Sequence, residues 1–170
     1  MLRSVRGPIF FASILILLAV MFSAYSALGQ AVATADIHNA DGDFIALAIL
    51  TQIGDQVEIT IKASDLPPGL HGTHIHETGT CEEPDFTSAG AHFGPLGENA
   101  DANPYGSYAG DLPDMEVDDA GEGTLQHATN LVSLIDDEFN LLDSDGSAIV
   151  IHAEPTDESG NAGARIACGV

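Results

Sequence analysis

Val57-Glu58-Ile59-Thr60-Ile61-Lys62 alternates apolar and polar side chains over six residues. Successive side chains of an extended chain face opposite ways, so this period of two marks a strand with one buried face. Working outward, Phe44, Ile45, Leu47 and Ile49 lead to Thr51, and Gly54-Asp55 separates the two runs as a turn. On the other side, Asp65-Leu66-Pro67-Pro68-Gly69 is a turn by its Pro and Gly content. The apolar run Ala148-Ile149-Val150-Ile151 follows the turn Asp143-Ser144-Asp145-Gly146, and Ala164 to Cys168 follows Gly160-Asn161-Ala162-Gly163. Short strands with frequent turn signals, and no sustained helical period after residue 29, predict an antiparallel sandwich or barrel. Between Glu77 and Asp114 runs a Gly-, Pro- and acid-rich stretch without strand pattern. A loop that long inside a compact domain is usually functional.

The N-terminal segment reads as an address. Arg3 and Arg6 precede an apolar run from Ile9 to Phe22, and small residues follow from Ser23 to Gly29. A basic start, an apolar stretch and a small-residue exit form a secretory signal peptide, with cleavage expected after Gly29. At ~1.5 Å per residue the apolar run falls short of a ~30 Å hydrocarbon core, which disfavours an uncleaved anchor. The expected organisation is a signal peptide over 1–29 and one domain over 30–170, exported to a periplasm or the cell exterior.

The 170 residues carry 4 basic and 26 acidic side chains, net −22. Cleavage would leave Lys62 and Arg165 against all 26 acids, net −24. Such a surface repels phosphate and anionic lipid, so no nucleic acid and no membrane surface is expected as a partner. With 45% hydrophobic residues the chain is nevertheless not compositionally disordered. Cys81 and Cys168 are its only cysteines. An even count in an oxidising compartment favours one disulfide, the alternative being two buried thiols.

His74 and His76 stand i, i+2 in Gly72-Thr73-His74-Ile75-His76-Glu77, so in a strand both imidazoles face one side and Ile75 the other. Two convergent imidazoles are half of a copper or zinc site. Alone, the pair reads equally well as polar surface or as hydrogen-bonded core histidine. His92 lies in the long loop, and His152 ends the run Ile149-Val150-Ile151-His152.

Together these segments resemble the copper–zinc superoxide dismutase family. Gly69-Leu70-His71-Gly72-Thr73-His74-Ile75-His76-Glu77 resembles its first copper-ligand motif, and Ser88-Ala89-Gly90-Ala91-His92-Phe93-Gly94-Pro95 its bridging-histidine segment. Gly110-Asp111-Leu112-Pro113 is similar to its zinc-aspartate motif in the bacterial form. Ile151-His152-Ala153 resembles the last copper-ligand segment, and Gly160 to Val170 the C-terminal signature. The resemblance implies an eight-stranded Greek-key sandwich or barrel with a long active-site loop. It implies copper on His74, His76, His92 and His152, a disulfide between Cys81 and Cys168, and Arg165 as the arginine beside the metal. It further implies superoxide as substrate, disproportionated to oxygen and hydrogen peroxide, with His92 delivering a proton. A guanidinium suits that substrate, a small anion.

The chain departs from the family at zinc. Two further histidines are expected where this sequence has Ala100 and Tyr108, and no histidine occurs between His92 and His127. Only His92 and Asp111 remain, short of the four ligands of a structural tetrahedral site, although Glu98 or Asp101 could substitute. Only Ala153 to Ser159 separates His152 from the C-terminal signature, where the family usually carries a longer, charged loop. Both departures resemble the copper-only branch. His92 would then need a carboxylate to orient it, with Asp111, Glu154 and Asp157 as the candidates. His71 is expected to brace the loop, and His38 and His127 to have no role at the site. The competing reading is a non-enzymatic copper-binding or copper-delivery protein on the same fold; complete copper ligands plus Arg165 favour turnover.

Overall fold

The computed structural model describes residues 30–135 and 139–170; the expected signal peptide and its cleavage point lie outside them. Nine antiparallel strands form the domain: β1 Val32–Asn39, β2 Phe44–Ile53, β3 Gln56–Ala63, β4 Gly69–His71, β5 Thr73–His76, β6 Met115–Val117, β7 Gly123–Thr129, β8 Ala148–His152 and β9 Arg165–Gly169. No helix among the described residues is long and apolar enough to cross a membrane.

The alternating stretch becomes β3, which pairs with β2 around the two-residue turn Gly54-Asp55, where Gly54 takes φ 64°. Val57, Ile59 and Ile61 are buried, while Glu58 and Lys62 face solvent. Along the sheet the order is β4-β6-β7-β3-β2-β1-β9-β8-β5. The two outermost strands, β4 and β5, are consecutive in the chain, so the backbone at Gly72 joins the ends and the sheet curls into a nearly closed barrel. The step from β3 to β4, past β7 and β6, is the Greek-key crossing. The expected eight strands become nine because Gly72 interrupts one run: its N–H donates to the Glu154 carbonyl and its own carbonyl accepts the His152 N–H, both at 2.8 Å.

The core inside the barrel includes Ile37, Val57, Ile59, Ile61, Ile75, Met115, Ile149 and Ile151. A second, smaller cluster of Phe86, Ala89, Ala148, Val150 and Cys168 lies on the other face of β8. β8 is therefore covered on both sides, which is why it reads as an unbroken apolar run rather than an alternating one. The cover is the long loop, carrying two short 3-10 helices at Thr87–Ala89 and Gly97–Ala102. Cys81 and Cys168 are bonded, with Cα atoms 5.7 Å apart, and tie this loop to β9.

Candidate metal centre

The strand period divides β5 between two environments. Ile75 joins the barrel core, while His74 and His76 emerge on the opposite face, both with no exposed surface. In the antiparallel register His74 lies opposite Val150 and His76 opposite Ala148, so the imidazoles share the loop-covered face with the smaller cluster. His152 ends β8, where the pairing with β9 shifts register and sets His152 opposite Arg165. A bulge of this kind redirects the side chain at a strand end. The loop returns His92 by an isolated bridge to His76.

One donor nitrogen from each of His74, His76, His92 and His152 lies within 4.8 Å of all the others. Three of these side chains hold buried nitrogens with no hydrogen-bond partner: His74 Nδ1, His76 Nε2 and His152 Nε2. Unsatisfied buried polar atoms cost about 1–3 kcal/mol each, so three of them turned into one cluster mark a place for a ligand. An all-imidazole donor set suits copper, and these residues fit the metal that the resemblance implies.

The opposite ring nitrogens are all engaged. His76 Nδ1 donates to the Gly90 carbonyl at 3.0 Å, and His152 Nδ1 to the Gly163 carbonyl at 3.2 Å. His74 Nε2 meets the Thr156 hydroxyl at 3.0 Å, and His92 Nδ1 meets Asp111 Oδ1 at 2.6 Å. Each second nitrogen sets the tautomer that leaves its partner bare. Burial keeps the rings of His74, His76 and His152 neutral. It pushes His74 down to about 2, helped by the other three imidazoles. It pushes His76 down to about 3 against the opposing Gly90 hydrogen bond, and lowers His152 too. Neutral imidazole is the form that binds a metal.

Of the three carboxylates expected as partners for His92, the structure selects Asp111. Asp157 accepts the Ser159 and Asn161 backbone N–H groups of its own turn instead, and Glu154 lies against Gly163. The Asp111 side chain is 2% exposed, and its Oδ2 accepts the Tyr108 N–H at 3.0 Å. Tyr108 thus stands where the resemblance implies a zinc histidine, its ring centroid 5.5 Å from that of His92. Glu98 and Asp101 are solvent-exposed, and the four histidines form the one candidate metal cluster among the described residues. An open cleft of about 680 Å³, between Tyr105–Tyr108 and Thr156–Gly160, reaches His92 and Asp111.

Arg165 donates from Nη1 to the Phe86 carbonyl and from Nη2 to the Gly90 carbonyl, each at 2.7 Å. His71 is wedged between the His152 and Pro67 carbonyl oxygens at 2.7 and 2.8 Å, the brace expected of it. His127 packs edge-on against Tyr105 and His38 against Phe44, both away from the cluster. Sequence reading did not find Thr156 or Asp114, whose side chains meet at 2.8 Å behind His74. The only signal for them was the proximity of Thr156 to the last copper-ligand segment.

The model of the copper/zinc superoxide dismutase family matches residues 45–170. A "Superoxide dismutase [Cu-Zn] 1" of Aquifex aeolicus is 42% identical over 161 residues, covering 91% of this chain and 95% of that protein. The "Superoxide dismutase-like protein YojM" of Bacillus subtilis is 40% identical over 139 residues, covering 77% and 71%. The crystal structure of a SOD-like protein from Bacillus subtilis superimposes with a TM-score of 0.70 at 38% identity, covering 82% of this chain and 98% of that one. With its four-histidine cluster, its arginine and its barrel in family order, the chain belongs to the copper/zinc superoxide dismutase family.

Proposed function

We propose that this protein is an exported superoxide dismutase that works with copper and without a family-type zinc site. The observation that carries the reading is the set of three partnerless buried nitrogens beside a fixed guanidinium. His74 Nδ1, and the Nε2 atoms of His76, His92 and His152, would hold the metal. Bound there, copper would supply one-electron redox chemistry, so that two superoxide anions could be converted to oxygen and hydrogen peroxide. The protein's own part is binding, orientation and proton handling. Arg165, with two donors committed to carbonyls, keeps its charge in one place and offers its remaining N–H groups to a small anion. Asp111 holds the Nδ1 proton of His92, so that ring gains and gives a second proton only at Nε2. The cleft beside it admits the water that resupplies protons.

Membership of the family and the relatives named as superoxide dismutases support this activity. Export is supported by the basic-apolar-small N-terminal pattern, by the disulfide, and by a Haemonchus contortus relative named extracellular. The test loads protein with copper alone and with copper plus zinc, then measures metal content and superoxide turnover. One copper per chain with equal turnover in both samples is expected. Copper uptake without turnover would mean storage or delivery; no copper uptake would end the proposal. Export is tested by the mass of protein recovered outside the cytoplasm, which should correspond to a chain beginning at Gln30.

A further inference from the structure

His74 differs from the other three imidazoles in what stands behind it. His76 and His152 donate to backbone carbonyls and His92 to a carboxylate, but His74 meets a side-chain hydroxyl. A hydroxyl can donate or accept, so by itself it would not choose a tautomer. Asp114 removes that freedom. The Thr156 hydroxyl donates to Asp114 Oδ1 at 2.8 Å, and the Thr156 backbone N–H lies 3.2 Å from both carboxylate oxygens. With its proton committed, Oγ1 presents only lone pairs, and His74 must carry its proton on Nε2. Nδ1, the nitrogen without a partner, is then the bare donor.

We propose that Thr156 and Asp114 form a positioning relay that locks the His74 tautomer and strengthens Nδ1 as a metal donor. The relay rests on the copper reading above for its purpose, although its hydrogen bonds exist without metal. Its parts come from three places: β5, the loop before β6, and the shortened loop between β8 and β9. Gly72 makes room for it, since a Cβ at that position would stand 2.8 Å from the Thr156 hydroxyl. The carboxylate supplies negative charge through two short hydrogen bonds, which raises the basicity of the ligand ring. It also anchors the clipped loop directly over the site.

The test begins on the metal-free protein with nitrogen NMR of labelled histidine. Wild type and Thr156→Ser should show His74 as a single Nε2–H tautomer. Thr156→Val, which keeps the shape and removes the hydroxyl, should show a mixture of tautomers. Asp114→Asn should shift it part of the way. Titration with Cu(II) against a competing chelator should then show affinity about 10–100-fold weaker in Thr156→Val and near wild type in Thr156→Ser. Circular dichroism confirms that the variants are folded. An unchanged His74 tautomer in Thr156→Val, or equal loss in Ser and Val variants, would overturn the relay. If wild type showed the predicted tautomer but bound no copper, the copper reading would fall and the tautomer lock would stand.

Discussion

Arg165 and His76 are fastened to the same oxygen: the Gly90 carbonyl accepts Arg165 Nη2 at 2.7 Å and His76 Nδ1 at 3.0 Å. A candidate metal ligand and the candidate anion-binding group therefore move together. Gly90 achieves this at φ 78°, and a Cβ there would press on Glu77 at 2.8 Å. The loop reaches the site through a conformation that side chains other than glycine rarely adopt.

Arg165→Ala should lower kcat/KM about tenfold, a loss of ~1.4 kcal/mol, with copper content unchanged. The surrounding charge opposes the substrate, so salt should act unusually. Without residues 1–29 the chain carries −24, and raising ionic strength from about 0.01 to 0.3 M screens that repulsion. Wild-type turnover should stay flat or rise over this range, and Arg165→Glu should be slower and rise more steeply. A tenfold fall in the wild type would show that local positive potential outweighs the global charge.

His152→Ala removes one of four imidazoles and one partnerless buried nitrogen. Copper-dependent turnover should vanish, while the metal-free domain stays folded by circular dichroism. Undiminished activity would take His152 out of the site.

Asp111→Asn should keep the backbone contacts around Tyr108 but remove the negative charge from His92 Nδ1. At equal copper loading, kcat should fall about tenfold, because the ring loses the partner that holds its proton and orientation. Equal kinetics in the variant would leave Asp111 a structural residue only.

Breaking the Cys81–Cys168 bond opens an 87-residue loop. The chain-entropy model puts the loss at up to ~4.6 kcal/mol. Cys81→Ser and Cys168→Ser should each lower the denaturation midpoint, and the double variant should be no less stable than either. Strict additivity of the two losses would mean that the sulfurs act separately.

Metal-free protein should weaken in mild acid. The folded values of His74 and His76 are about 2 and 3, against 6.5 in the unfolded chain. As pH falls below about 6.5 the unfolded chain takes up protons that the folded chain refuses, so stability falls toward pH 3. The limiting slope is about 1.4 kcal/mol per pH unit for each such histidine. Urea unfolding at pH 7, 6, 5 and 4 should therefore give a shallower acid slope in His76→Gln than in wild type. Parallel slopes would mean that the buried imidazoles do not drive the loss.

What sequence alone determined here rests on local order. Alternation at Val57–Lys62 placed one strand face inward, and the i, i+2 spacing of His74 and His76 set both rings on one side of β5. Ala100 and Tyr108 left the zinc set that the family resemblance implies short of two histidines. Tertiary structure alone decided everything that depends on chain paths meeting. It chose Asp111 over Glu154 and Asp157, because side-chain direction within the two loops follows from their own turn hydrogen bonds. It also placed Asp114 behind Thr156, 42 residues away, and Thr156 behind His74, 82 residues away. No periodicity encodes such contacts. They arise because closure of the barrel at Gly72 brings the start of β5, the loop before β6 and the end of β8 to one corner, where each unpaired donor must find an acceptor.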